Sequence, residues 1–190
     1  MTAIEVLGFL TGAISVWLAV RENVWSWPVG LANSAIFLIL FWSAALYANS
    51  ALQILYITLG IFGWWNWIRG GAGLGPLKVQ RTPRPEAIWL LIFTLVAFAV
   101  LTTVLDRFTD SDVPSWDGLT VALSLSATYM LTRKFIENWL VWIVADVIYV
   151  PLYASQRLYL TSVVYAIFLA MCIAGYVKWR RAVTLAHVTA

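Results

Sequence analysis

Seven stretches of this chain are almost wholly apolar: Ala3–Val20, Trp27–Leu46, Ala51–Trp67, Ala87–Leu105, Leu119–Leu131, Trp139–Ala154 and Leu158–Val177. A hydrocarbon core about 30 Å thick is crossed by roughly 20 apolar residues in helical form. Each stretch therefore predicts a membrane-crossing helix, the fifth and sixth being short. The links are brief except for a Gly/Pro-rich basic connector, Arg69–Glu86, and an acidic one, Asp106–Asp117. No stretch has the pattern of a soluble strand or of a phosphate-binding loop. Composition agrees. With 62% hydrophobic and 11% charged residues among 190, the chain has more apolar surface than a soluble core of its size can cover. The expected class is an all-α membrane protein forming one transmembrane domain.

Charge sets the orientation. Seven crossings place Arg21, Arg69, Lys78, Arg81, Arg84, Arg133, Lys134, Lys178, Arg180 and Arg181 on one side. Only Arg107 and Arg157 fall on the other, beside Asp106, Asp110 and Asp112. Basic residues mark the cytoplasmic side, so the N-terminus is expected outside and the C-terminal tail inside. These basic residues sit in loops between spans, which argues against a nucleic-acid surface. Met1–Val20 lacks a basic leader and a small-residue cleavage site, so it is expected to be a retained first helix. The lone Cys172 lies inside a span and predicts no disulfide.

The chain repeats itself. A shift of 112 residues brings Arg21 onto Arg133, Trp27 onto Trp139, Leu46 onto Leu158 and Tyr47 onto Tyr159. The same shift brings Ile61 onto Ile173, Gly63 onto Gly175, Trp67 onto Trp179 and Arg69 onto Arg181. Spans one to three and five to seven are thus two copies of a three-helix unit, taken as residues 3–69 and 117–181. A single linker helix, 87–105, puts the copies in the same orientation. Two parallel three-helix repeats in a three-plus-one-plus-three order are the expected architecture, and transporters bind solutes between such halves.

The polar residues inside the spans suggest where. Trp139, Trp142, Asp146, Tyr149 and Tyr153 recur at spacings of three and four, so they share a helix face. A carboxylate at such depth costs about 2.5–3.5 kcal/mol on insertion scales, and it faces a cavity or a partner. Asn33, Gln53, Tyr56 and Trp64, with Tyr165 in the last span, stand at matching depth in other spans. Trp142, Asp146 and Tyr149 are expected to form one wall of a small-molecule site, and Asn33, Gln53 and Tyr56 the other. Aromatic stripes also serve packing, and polar residues in spans also join helices, so a non-transporting scaffold subunit is the competing class. Pro151, inside span six, predicts a kink. No nucleotide-binding motif, catalytic residue set, metal-ligand cluster or ladder of intramembrane acids is present in the sequence. Neither an enzyme, a cofactor, a bound metal nor a proton pump is expected.

Specific motifs now converge. Trp25-Ser-Trp-Pro-Val-Gly, Leu46-Tyr-Ala-Asn with Leu52-Gln53, Gly63-Trp-Trp-Asn-Trp, Glu137-Asn-Trp-Leu-Val-Trp142 and Leu158-Tyr-Leu-Thr resemble the PnuC family of bacterial vitamin transporters. The resemblance covers nearly the whole chain. It implies a SWEET-like fold, a homotrimer in the bacterial inner membrane, and facilitated diffusion of nicotinamide riboside for NAD biosynthesis. It also implies trapping of the solute by phosphorylation in the cytoplasm. One position departs. Nicotinamide riboside members have Asn four residues after the span-six Trp, where this chain has Asp146; riboflavin-transporting relatives carry Asp there. Riboflavin and thiamine are therefore the alternative solutes.

Overall fold

A computed structural model describes residues 3–43, 47–70, 75–109, 113–155, 157 and 159–188. Leu46, Leu158, Asp110 and Asp112 lie outside the described residues. Within them stand seven α-helices: α1 (Ala3–Val20), α2 (Ser26–Ser43), α3 (Tyr47–Arg69), α4 (Arg84–Phe108), α5 (Pro114–Thr132), α6 (Asn138–Ser155) and α7 (Tyr159–Val188). Four of them, α2, α4, α6 and α7, are long and apolar enough to cross a membrane. The helix ends follow local chemistry. Both α4 and α5 have a proline in the first turn and an acidic residue there, Glu86 and Asp117. A proline at that position has no missing bond to regret, and the acid complements the helix dipole.

Two expected boundaries move. α5 begins at Pro114 rather than Leu119, since a proline suits the first turn and Asp117 complements the helix dipole there. Thr120, Ser124 and Thr128 each donate to the carbonyl four residues back, at 2.9, 2.7 and 2.7 Å. α7 runs past Val177 to Val188, and Trp179 is wholly buried. The expected tail is thus helical. α6 continues through Pro151, and Ser162 of α7 donates to the Val150 carbonyl at 2.8 Å.

The principal packing contacts form a closed ring in the order α1, α2, α3, α5, α6, α7, with α7 returning to α1. The 112-residue shift maps α1, α2 and α3 onto α5, α6 and α7. It also maps the junction of α1 with α7 onto that of α5 with α3. The ring therefore has a pseudo-two-fold axis through its centre, and α4 stands outside it, packed on α5 with none of its residues buried.

Two pairs lie on that axis, because each joins a residue to its own repeat equivalent. Lys134 Nζ is 3.4 Å from Glu22 Oε2. Both residues have positive φ, 52° and 57°, at the equivalent turns after α5 and α1. The rings of Trp67 and Trp179 are 6.0 Å apart. Trp27 and Trp139 flank them edge-on, at 5.5 and 5.3 Å, and complete a buried four-tryptophan cluster. The two outer tryptophans have equivalent seats. A Cβ on Gly175 would stand 2.7 Å from the Trp139 ring, and one on Gly63 would overlap the Trp27 ring.

The connector after α3 closes this basic end. The Leu77 amide donates to the Trp67 carbonyl at 3.1 Å. Gln80 exchanges backbone hydrogen bonds with Lys134 and Ile136, an isolated bridge rather than a strand. Thr82 gives its amide and hydroxyl to Glu137 Oε2 at 2.9 and 2.7 Å. The connector thereby ties α3 of the first half to the α5–α6 turn of the second.

Candidate functional site

Asp146 is the charged residue of the candidate site. It projects from α6 into the ring and is only 3% exposed. Cys172 of α7 donates to its Oδ2 at 3.5 Å, a long contact to a weak donor. No basic side chain pairs with Asp146 among the described residues. A charge in that position is unmatched by the protein, and a cation or a hydroxylated solute is what would match it.

One turn along the same face is Tyr149. Its ring lies 4.5 Å from Tyr165, which in turn stacks on Tyr153 at 5.1 Å; Tyr149 and Tyr153 are 5.6 Å apart. Three tyrosines from α6 and α7 thus form a continuous aromatic surface beside the acid. Hydroxyls from α3 and α5 stand close by: Tyr56 lies near Ser124, and Tyr149 near both Thr120 and Ser124. Aromatic faces next to a carboxylate and a row of hydroxyls can stack a planar ring and bind a polyol at once.

Of the three, Tyr165 borders open space. A cavity of about 800 Å³ lies between α1, α2 and α7 at the end opposite the basic one, reaching Arg157. Phe9, Asn33, Phe37, Tyr165 and Phe168 line it. Tyr165 lines this cavity and packs against Tyr149 and Tyr153, which share the face of α6 that carries Asp146. At the other end the tryptophan cluster and the connector close the ring. There Lys134 lies 4.5 Å from the Trp67 ring. Burial pushes its ammonium below the ordinary value of 10.5, against the opposing pull of Glu22.

The residues expected from the sequence fall into groups. Asp146, Tyr149 and Tyr165 come together, and Tyr56 adjoins them through α5. Trp142 is partly buried and packs against the tryptophan cluster. Asn33 lines the open cavity and donates to the Gly8 carbonyl and the Thr11 hydroxyl at 2.6 and 2.8 Å. Gln53 is partly buried on α3. Trp139 is 2% exposed and walled in by Trp179 and Gly175, a packing position. Trp64 stands apart: it is 39% exposed. The seating of Trp27 on Gly63 fixes which face of α3 turns inward, and the next residue points about 100° away from it. Thr120 and Ser124 were not among the expected residues. Their signal was present as hydroxyls four apart in an otherwise apolar stretch. Among the described residues no cluster of His, Cys, Asp or Glu could hold a metal.

Comparison with known proteins gives a consistent set of relatives. The family model described as nicotinamide mononucleotide transporter matches residues 2–181. The nicotinamide riboside transporter PnuC of Escherichia coli is 30% identical, with 93% of this chain aligned to 84% of that protein. The riboflavin/roseoflavin transporter RibM of Streptomyces davaonensis is 26% identical over 92% of this chain and 83% of its own. A crystal structure of the vitamin B3 transporter PnuC superposes with a TM-score of 0.72, covering 95% of this chain and 82% of that one at 21% identity. That likeness gives the fold: an all-α membrane protein of seven helices.

Proposed function

The chain belongs to the nicotinamide mononucleotide transporter family, and on that premise we propose that it carries nicotinamide riboside into the cytoplasm by facilitated diffusion. It is a multi-pass vitamin transporter of a bacterial membrane, and phosphorylation inside the cell traps what it delivers. The observation that carries this reading is the buried, cation-free Asp146 beside three tyrosine rings. Nicotinamide riboside combines a planar cationic ring with ribose hydroxyls. The tyrosines suit its ring, Asp146 its charge, and Thr120, Ser124 and Tyr56 its hydroxyls. Residues 3–69 and 117–181 act as the two repeats about linker 87–105, within a single domain. Three copies assemble into a homotrimer, which the protein's mass in detergent tests.

Orientation follows the charge bias: the end closed by the connector faces the cytoplasm, and the 800 Å³ cavity faces outward. The same site without charge pairing suits riboflavin, a neutral ring with a polyol tail, and RibM is a relative. Titration of the purified protein against nicotinamide riboside, thiamine and riboflavin decides between them. Nicotinamide riboside is expected to bind most tightly. Tighter binding of riboflavin would replace the solute while leaving the transporter.

A further inference from the structure

A second cavity, of about 590 Å³, lies at the basic end with walls from both halves and the connector. α3 contributes Asn66 and Gly70, the connector Lys78 and Gln80, and the α5–α6 turn Arg133. Its volume is in the range of small-molecule sites, roughly 300–1,000 Å³. In this closed arrangement the tryptophan cluster separates it from Asp146.

The chemistry of the wall is one-sided. Its charged residues among those described are Lys78 and Arg133, both cationic. The acids nearby are engaged: Glu22 with Lys134, Glu137 with Thr82, and Glu86 with the Tyr129 hydroxyl. Glu86 also comes within 4.0 Å of Arg133 Nε, a distance beyond hydrogen bonding. Two donors on wall residues, Asn66 Nδ2 and Arg133 Nε, are buried without a hydrogen-bond partner. Buried donors are seldom left so, and both call for an acceptor. Membrane topology accounts for basic residues on this side. It does not account for a cavity between them or for an unpaired amide.

We propose that this cavity binds the phosphate group of a small soluble phosphomonoester. A guanidinium presents paired N–H donors to phosphate oxygens, and a lysine adds a point charge. The bound anion touches the first half through Asn66, the second through Arg133, and the connector through Lys78. It therefore staples the basic end shut. Transport slows as the phosphorylated form of the carried solute accumulates on that side. This regulatory step rests on the transport reading above; the binding does not.

The test uses the full chain in nanodiscs of neutral lipid, at constant ionic strength. Thermal unfolding is followed against nicotinamide mononucleotide, with nicotinamide riboside, which lacks the phosphate, as its partner. The mononucleotide is expected to raise Tm saturably. Lys78→Gln removes an exposed side chain and is expected to raise the midpoint concentration about five-fold or more, and Arg133→Lys to act in the same direction. Lys78→Gln leaves the riboside midpoint unchanged. Equal mononucleotide midpoints in all three proteins would overturn the site. So would a shift that sodium chloride reproduces, or one that needs phosphatidylglycerol, which would make the occupant a lipid headgroup. A Lys78-dependent mononucleotide shift in a protein that binds no vitamin would keep this site and remove the transport reading instead.

Discussion

At the scale of single residues, the proposed pairing of Asp146 with a cationic ring is open to a direct test. Asp146→Asn keeps the shape and a carbonyl acceptor but removes the charge. In a partly dry site the attraction of a carboxylate for a cationic ring exceeds the roughly 1 kcal/mol of a neutral hydrogen bond. Loss of the charge should therefore weaken nicotinamide riboside about ten-fold or more, while riboflavin changes by no more than two- or three-fold. Calorimetric titration of both proteins reads the difference, and equal affinity for the riboside would remove charge pairing from the account. The acid and its neighbour Tyr149 were legible from spacing alone, because a charge inside an apolar helix has few reasons to be there. Thr120 and Ser124 were not. Their hydroxyls can return to their own helix's carbonyls, so nothing in the sequence requires them to face a site. Spacing alone leaves both Gly63 and Trp64 as inward candidates on α3; the structure seats Trp27 on Gly63 and leaves Trp64 39% exposed.

At the scale of helices, the glycines at equivalent positions in α3 and α7 fix how each half is built. Gly175→Val would drive a branched side chain into Trp139, whose ring is enclosed by Trp179 and has nowhere to move. Overpacking of this kind costs about 1–3 kcal/mol, so the Tm in detergent should fall clearly. Gly12→Ala is the control, because its Cβ meets Phe168 at an ordinary 3.7 Å. A Gly175→Val protein as stable as the control would contradict the seating. The seven helices themselves were readable from apolar runs, but their ends were not. Hydropathy stops where residues turn polar, whereas α5 starts earlier on a proline and an acid suited to its first turn, and α7 continues because Trp179 belongs to the cluster.

At the scale of the whole molecule, the axis relating the two halves was visible in the sequence as a 112-residue shift. What lies on the axis was not, since no periodicity says that Glu22 meets Lys134. The symmetry makes an uncommon prediction. Glu22→Lys alone or Lys134→Glu alone places like charges across the axis and should lower stability by about 1–3 kcal/mol. The double variant exchanges the two residues between equivalent turns and should recover most of the loss in Tm. Failure to recover would mean the pair is not on the axis. Orientation has its own check: a cysteine replacing exposed Lys78 should resist an impermeant thiol reagent in intact cells, and ready labelling would invert the topology. The chain carries no nucleotide motif, and among the residues whose burial is described Asp146 is the deeply buried acid, so movement through the ring is expected to be passive and driven by the solute gradient. Flux of labelled nicotinamide riboside through proteoliposomes measures that movement most directly. It should be saturable, run in either direction down the solute gradient, and ignore ATP and an imposed pH step. Accumulation against the gradient, or no saturable flux at all, would contradict it.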